Sequence, residues 1–221
     1  GDRRRSRSAS PGREWLPVQT PDRNARVPAR YQGKDMQSDK NSQGSAALAR
    51  LLTCLMFFTF AMTTDAVGSV IPRVIEEYRL SMTAASAFQY ATMLGIATGA
   101  LLLGFLADRL GLQGTIILGL SLYGLSSLLV ALGGQFHALV AMLALSGLGI
   151  SIFKTAALAL IGDITASPQA HTRFMNNVEG WFAVGAIVGP AIVAALLTAG
   201  VSWKWLYVVA AAICLALVVM A

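Results

Sequence analysis

Long apolar runs and short polar breaks alternate along the chain from residue 46 onward. A membrane-spanning helix takes about 20 predominantly apolar residues, and each run approaches or exceeds that length. The runs are apolar on all faces, whereas a helix of a soluble bundle shows a polar stripe. The pattern predicts an all-α membrane protein, a six-helix transmembrane bundle over 46–221 with spans at 46–72, 82–107, 112–134, 136–162, 174–201 and 205–221.

The breaks between the runs are short, so consecutive helices are expected to be antiparallel neighbours. Glycines recur inside several runs at intervals of four or five residues. In lipid, such glycines allow two helix backbones to approach closely, which supplies packing where the hydrophobic effect does not. We expect this kind of contact from Gly95, Gly99, Gly180, Gly185 and Gly189.

The start of the chain has a different composition from the rest. Residues 1–50 hold 11 of the 17 Lys and Arg and five of the 11 acids, so the net charge of +6 belongs to this segment. Its apolar residues form no periodic pattern, and we therefore predict a disordered basic tail over 1–45. Met36 is the first methionine. A natural start there, with residues 1–35 non-native, is one interpretation of the tail.

Composition also narrows the class of function. Hydrophobic residues make up 55% of the chain and charged residues 13%, against about 25% charged in a soluble globular domain. The basic excess lies outside the predicted helices and does not form the basic face of a nucleic-acid-binding domain. No nucleophile motif, phosphate-binding loop or metal-ligand spacing is found. We expect no enzyme, no cofactor, no metal site and no nucleic-acid partner.

The polar break between the second and third runs has a distinctive sequence. It reads Gly104-Phe105-Leu106-Ala107-Asp108-Arg109-Leu110-Gly111. This resembles the signature loop of the major facilitator superfamily, and it implies the N-terminal six-helix half of a transporter. In that family the loop contacts the other half and helps control gating, a role that would fall to Gly104, Asp108, Arg109 and Gly111. Leu112-Gln113-Gly114 stands where a basic pair usually follows, which leaves the strength of that contact open.

Two further segments are similar to parts of this family. Residues 185–190 read Gly-Ala-Ile-Val-Gly-Pro, similar to a Gly-x-x-x-Gly-Pro element of several subfamilies, antiporters especially. Because Pro190 removes one backbone hydrogen bond, we expect a helix kink around Gly185, Gly189 and Pro190. Residues around Lys154 and Asn176 loosely resemble the fucose-permease-type sugar symporters.

Three ionisable residues interrupt the spans: Asp65, Lys154 and Glu179. Each is a candidate functional residue, because an ionisable group at mid-bilayer costs at least about 2.5–3.5 kcal/mol. Helical rise places Lys154 and Glu179 at similar depth, so they are predicted to meet, as a fixed pair or as partners that change during transport. Asn176 lies one turn before Glu179. Asp65 and Gln89 form a second polar layer, in which Asp65 is either a proton-coupling carboxyl or a neutral one capped by a neighbouring Thr.

The function expected is secondary active transport, namely proton-coupled import of a small polar solute such as a sugar. A drug–proton antiporter is the alternative within the same family, and a non-transporting membrane fragment or sensor is the alternative of another class. The partners expected are the lipid bilayer, a small-molecule substrate, protons and a missing C-terminal six-helix half. We expect the inner (plasma) membrane of a bacterium, with the N-terminus cytoplasmic because Lys34, Lys40 and Arg50 adjoin the first span.

Overall fold

The computed structural model describes the backbone of residues 29–220 and the side chains of residues 46–220. Residues 1–28, which include most of the predicted tail, lie outside the described residues. The chain has two units, residues 1–41 and 42–221, and every contact below lies in the second. The described segments are helices joined by short connections, with no strand among them.

The helices follow the predicted order, but the first span consists of two of them. They are α1 Ala29–Thr64, α2 Val67–Tyr78, α3 Met82–Leu102, α4 Leu106–Leu132, α5 Phe136–Asp163, α6 Pro168–Thr198 and α7 Trp205–Met220. α1 begins at Ala29, so residues 29–45 have a helical backbone where the sequence predicted no ordered structure. After Pro28, no proline interrupts the helix before Thr64.

Within residues 29–220, five helical segments are long and apolar enough to cross a membrane: Ala46–Tyr78, Met82–Leu102, Leu106–Leu132, Phe136–Asp163 and Pro168–Thr198. α7 is a shorter apolar helix at the position of the sixth predicted span. The boundaries differ from prediction by five or six residues at four places. The first span continues to Tyr78 rather than ending at residue 72, and α3 ends at Leu102 rather than at 107. α4 begins at Leu106 rather than at 112, and α6 begins at Pro168 rather than at 174.

The interruption between α1 and α2 falls at Asp65 and Ala66. Just before it, the hydroxyl groups of Thr63 and Thr64 donate to the carbonyl oxygen of Phe60, at 3.1 and 3.0 Å. Hydroxyl groups that bond back to the preceding turn compete with the backbone ladder and bend helices. We attribute the end of α1 to this pair of threonines.

Glycines bring the helices together at three crossings. A methyl group built at Gly95 of α3 would overlap the backbone of Ala144 in α5, and one at Gly189 of α6 would overlap the backbone of Met62 in α1. Gly149 of α5 packs in the same way against the backbone of Tyr123 in α4. The predicted contact of Gly180 is wrong, because no atom lies within 4 Å of a side chain built there.

Two buried apolar clusters follow one another along the bundle. One includes Phe57, Phe153 and Val178. The other includes Val74 and Trp203 and lies toward the connections α2–α3, α4–α5 and α6–α7. We call the end with these connections the distal end, and the opposite one, with the α3–α4 and α5–α6 connections, the motif end.

Candidate functional site

Lys154 is a cation within the apolar length of α5, and two aromatic side chains of α1 lie beside it. It is half-buried on α5. Its Nζ lies 5.6 Å from the ring centroid of Phe57 and 5.1 Å from that of Phe60, both on α1. An ammonium group over aromatic faces gains about 0.5–1 kcal/mol when exposed and about 2 kcal/mol or more when desolvated. The two rings therefore hold Lys154 without neutralising its charge.

The predicted contact between Lys154 and Glu179 is not formed. Among the described residues, the ion pairs are Arg73 with Glu76 and Lys204 with Glu77. Glu179 is exposed on α6, whereas its neighbour Val178 is buried in the core. Successive residues of a helix are about 100° apart around its axis, so Glu179 is turned away from the face that packs. Lys154 and Glu179 therefore do not meet, although the helical rise predicts similar depths for them along α5 and α6.

The other polar candidates on α6 and α3 are spread over different surfaces. Asn176 is exposed on α6, three residues before Glu179 and therefore on the same side of the helix. Its neighbour Asn177, which the sequence analysis did not single out, donates from Nδ2 to the Sγ of Cys54 at 3.6 Å. Gln89 is half-buried on α3. Asn176 and Glu179 share one face, and neither forms an ion pair or hydrogen bond in the described part of the chain.

Asp65 lies at the break between α1 and α2 and is exposed. The hydroxyl of Thr64 donates to its Oδ2 at 3.3 Å, the type of capping contact considered in the sequence analysis.

A second connection, which the sequence did not reveal, fixes the end of α1. The hydroxyl of Tyr123 on α4 is fully buried, lies 2.6 Å from that of Thr63 and donates to the carbonyl oxygen of Thr59 at 3.2 Å.

The signature residues form a turn at the motif end. Asp108 and Arg109 are exposed in the first turn of α4, and Arg109 lies over the ring of Phe105 at 5.1 Å. Gly111 has φ +73°, a left-handed backbone conformation that glycine adopts without steric cost, and it interrupts α4 there. Gly104 is exposed in the connection between α3 and α4, and a side chain built there would contact only the backbone of Ala100 in α3.

The predicted kink elements lie within α6. Gly185 and Gly189 are buried against α1, and Pro190 follows inside a helix that continues to Thr198. The two glycines allow α6 to pack closely against α1, the helix that carries Phe57 and Phe60. The role of Pro190 in bending the helix stays a prediction.

The distal end holds a polar and aromatic cluster that sequence analysis missed. Glu77 of α2 accepts from Lys204 Nζ at 2.8 Å through one carboxylate oxygen and from Trp203 Nε1 at 3.3 Å through the other. Trp203 is buried and contacts the Phe88 ring edge to face at 5.7 Å. Burial lowers the pKa of Lys204, but the hydrogen bond and charge of Glu77 outweigh it, so the pKa lies above its ordinary value. The pair stays ionised at neutral pH.

Comparison with known proteins identifies the family. Residues 53–221 match the Major Facilitator Superfamily. The chain is 28% identical over 163 residues to the chloramphenicol resistance protein CraA of Acinetobacter baumannii, covering 73% of this chain and 39% of that protein. It is 26% identical over 147 residues to the 4-hydroxybenzoate transporter PcaK of Pseudomonas aeruginosa, covering 66% and 33%.

Solved structures agree on the fold. A crystal structure of the peptide transporter POT in complex with sulfate superimposes with a TM-score of 0.66 at 18% identity, covering 80% of this chain and 36% of that one. The chain thus spans about a third of the length of the proteins it matches. Among the described residues, no group of three or more His, Cys, Asp or Glu is placed to hold a metal ion. The chain is a multi-pass membrane protein and belongs to the major facilitator superfamily.

Proposed function

We propose that the chain forms the N-terminal half of a secondary transporter for a small organic solute that carries a carboxylate. The observation that supports this proposal most strongly is Lys154, held over two phenylalanine rings with no carboxylate partner among the described residues. A second six-helix half completes the transport pathway around it, as in transporters built of two repeats with a site near the midplane.

The electrostatics of Lys154 favour an anionic solute. A charge in a medium of low dielectric constant is stabilised strongly by an opposite charge and only weakly by neutral groups. The rings of Phe57 and Phe60 stabilise the ammonium group in part and offer apolar surface beside it. A carboxylate on an aromatic or aliphatic body matches both features, because its charge pairs with Nζ and its body contacts the rings.

The relatives narrow the solute to a class rather than to a compound. PcaK is named a 4-hydroxybenzoate transporter, and 4-hydroxybenzoate is an aromatic carboxylate. The sugar expected from the loose resemblance to fucose-permease-type symporters has no counterpart among the relatives compared above. We therefore prefer an organic acid to a sugar as the polar solute.

Proton coupling is the second part of the proposal, and we assign it to Asp65. The carboxyl group is exposed at a break in the first span, where a small movement of α2 changes its access to water. A carboxyl group that meets water in one conformation and apolar surroundings in another can bind a proton on one side of the membrane and release it on the other. Glu179 is the other candidate carboxyl group for proton coupling.

The orientation in the membrane is a further part of the proposal. The N-terminus is cytoplasmic, and the turn that carries Asp108 faces the second half of the transporter.

A drug–proton antiporter is the second candidate function. CraA is named for resistance to chloramphenicol, an uncharged drug, and the Gly185–Pro190 element resembles that of antiporters. In this alternative, the Phe57 and Phe60 rings bind the drug, and Lys154 contributes little to affinity. The two candidates thus differ in the charge requirement at Lys154.

The test compares a carboxylate with its uncharged amide. The full protein that carries this chain is purified, and binding of 4-hydroxybenzoate and 4-hydroxybenzamide is measured for the unmodified protein, Lys154→Gln and Lys154→Arg. We expect Lys154→Gln to weaken binding of the acid by about tenfold or more, as for loss of one charged hydrogen bond. Binding of the amide should change little, and Lys154→Arg should retain most affinity for the acid. Equal effects on acid and amide would contradict recognition of a carboxylate by Lys154.

A further inference from the structure

A pocket at the motif end lies between the first turns of the α1 span and the start of α6. Its volume is about 420 Å³, and it is lined by Arg50, Ser167, Gln169, Ala170, Arg173, Phe174 and Asn177. Two guanidinium groups, two side-chain amides and one hydroxyl thus surround the space, and no acid lines it. The lining differs from that of the Lys154 site, which involves α1 and α5.

The two arginines come from different helices and are not neutralised by the protein. Neither Arg50 nor Arg173 forms an ion pair in the part of the chain that the structure describes. The Cζ of Arg50 lies 5.9 Å from the ring centroid of Phe174, which is buried. That ring holds the guanidinium group at the mouth of the pocket and leaves its N–H donors available to a ligand.

The position of the pocket along the helices indicates its depth in the bilayer. Arg50 lies four residues inside the apolar segment that begins at Ala46, and Arg173 immediately precedes the buried Phe174. Both arginines are therefore at the boundary between the apolar core of the bilayer and its polar surface. Phosphate groups of lipids lie at that level, and guanidinium groups bind phosphate in a bidentate manner.

We propose that this pocket binds a phosphate-bearing anion through Arg50 and Arg173, with the amides of Gln169 and Asn177 as further donors. The ligand is either the headgroup of an anionic phospholipid or a soluble phosphate. Such binding would attach the start of the first span to α6 where the membrane surface lies. The site is separate from the solute site proposed above, and either can fail without affecting the other.

The test measures lipid retention by the full protein that carries this chain. Native mass spectrometry counts bound phosphatidylglycerol and phosphatidylcholine after titration into detergent, since choline offsets the charge of its phosphate. We expect a preference for phosphatidylglycerol, weakened about thirtyfold in the double variant Arg50→Gln with Arg173→Gln, which corresponds to about 1 kcal/mol per charge near an anionic surface. The matched control is Arg73→Gln with Arg79→Gln at the distal end, which should retain the preference.

A second arm distinguishes the sources of the phosphate. Inorganic phosphate is added as a competitor: displacement of phosphatidylglycerol indicates a site for the phosphate group alone, and no displacement indicates a lipid site. If the Gln variant does not fold, Arg50→Lys with Arg173→Lys replaces it and should show a reduced preference, because an ammonium group does not bind phosphate in a bidentate manner. The proposal is overturned if the unmodified protein binds neither phosphatidylglycerol nor inorganic phosphate above the level of phosphatidylcholine. It is also overturned if the arginine variants bind as tightly as the unmodified protein.

Discussion

At the scale of single residues, the bundle contains polar groups whose partners could not be predicted from local sequence. The position of Lys154 in the sequence suggested a partner at the same depth on α6, but depth does not specify the direction of a side chain around its helix. The structure directs Lys154 toward Phe57 and Phe60 instead. The contact of Tyr123 with Thr63 joins residues 60 positions apart, and no local pattern records such a pairing.

Tyr123 offers a prediction about stability at this scale. Tyr123→Phe removes the hydroxyl that bonds to Thr63 and to the carbonyl oxygen of Thr59. Two hydrogen-bond contacts of about 0.5–1.5 kcal/mol each are lost, so the free energy of unfolding should fall by about 1–3 kcal/mol. The Thr63 hydroxyl keeps its bond to the carbonyl oxygen of Phe60. Thermal unfolding in detergent measures the loss. Tyr90→Phe on the exposed face of α3 is the control, and equal melting temperatures for the two variants would disprove the role of the Tyr123 hydroxyl.

At the scale of helices, the sequence predicted the number and order of the spans because length and apolarity are local properties. It did not predict the break at Asp65, which follows from back-bonding by Thr63 and Thr64. The sequence predicted that glycines would pack closely between helices, but it did not identify which glycine makes such a contact. Gly189 packs against α1, whereas Gly180 contacts nothing, because each glycine's position around the helix axis decides which neighbour it meets.

The crossing of α6 over α1 can be tested with a matched pair of glycines. In Gly189→Val, the added side chain overlaps the backbone of Met62, so the two helices must separate and lose their contact. We expect a strongly reduced yield of monodisperse protein in fluorescence-detected size-exclusion chromatography. Gly180→Val introduces the same side chain into the same helix where no atom lies within 4 Å, and its yield should stay near that of the unmodified protein. A normal yield for Gly189→Val would show that this crossing is not required.

The distal cluster attaches α2 to the connection between α6 and α7. Removing one partner of the Glu77–Lys204 pair leaves a charge partly shielded from water without its partner, so Glu77→Gln and Lys204→Met should each destabilise the protein. The double change should destabilise it by less than the sum of the two single changes. The exposed pair Arg73–Glu76 is the comparison, and its coupling should be at most about 0.5 kcal/mol. A double-mutant cycle of melting temperatures measures both. Equal coupling in the two pairs would contradict a special role for the distal pair.

The pH dependence of this coupling has a definite sign. Because the pKa of Lys204 is raised in the folded protein, the stability linked to it is fully present below the ordinary pKa of a lysine. It is lost only as the pH rises through the raised value. Repeating the cycle between neutral and mildly alkaline pH should therefore give an unchanged coupling. A decline of the coupling free energy in that pH range would show that Lys204 loses its proton at a lower pH than its contacts with Glu77 imply.

At the scale of the whole molecule, the family follows from a short turn and from the arrangement of the helices. Gly104 to Gly111 stands between the second and third spans, and both the family match over residues 53–221 and the superposition on a peptide transporter agree with it. The solute could not be predicted in the same way. In the proposed function, solute binding depends on Lys154, whose surroundings come from residues far apart in the chain, and on a second half of the transporter.

The most direct test of the account is transport by the full protein in proteoliposomes. 4-Hydroxybenzoate accumulation under an imposed pH gradient is measured beside counterflow, for the unmodified protein and for Asp65→Asn, which imitates the protonated carboxyl. We expect accumulation and counterflow by the unmodified protein, and counterflow without accumulation by Asp65→Asn, because exchange of solute does not require release of the proton. Absence of both activities in the unmodified protein would contradict transport of this solute, and full accumulation by Asp65→Asn would contradict proton coupling at Asp65.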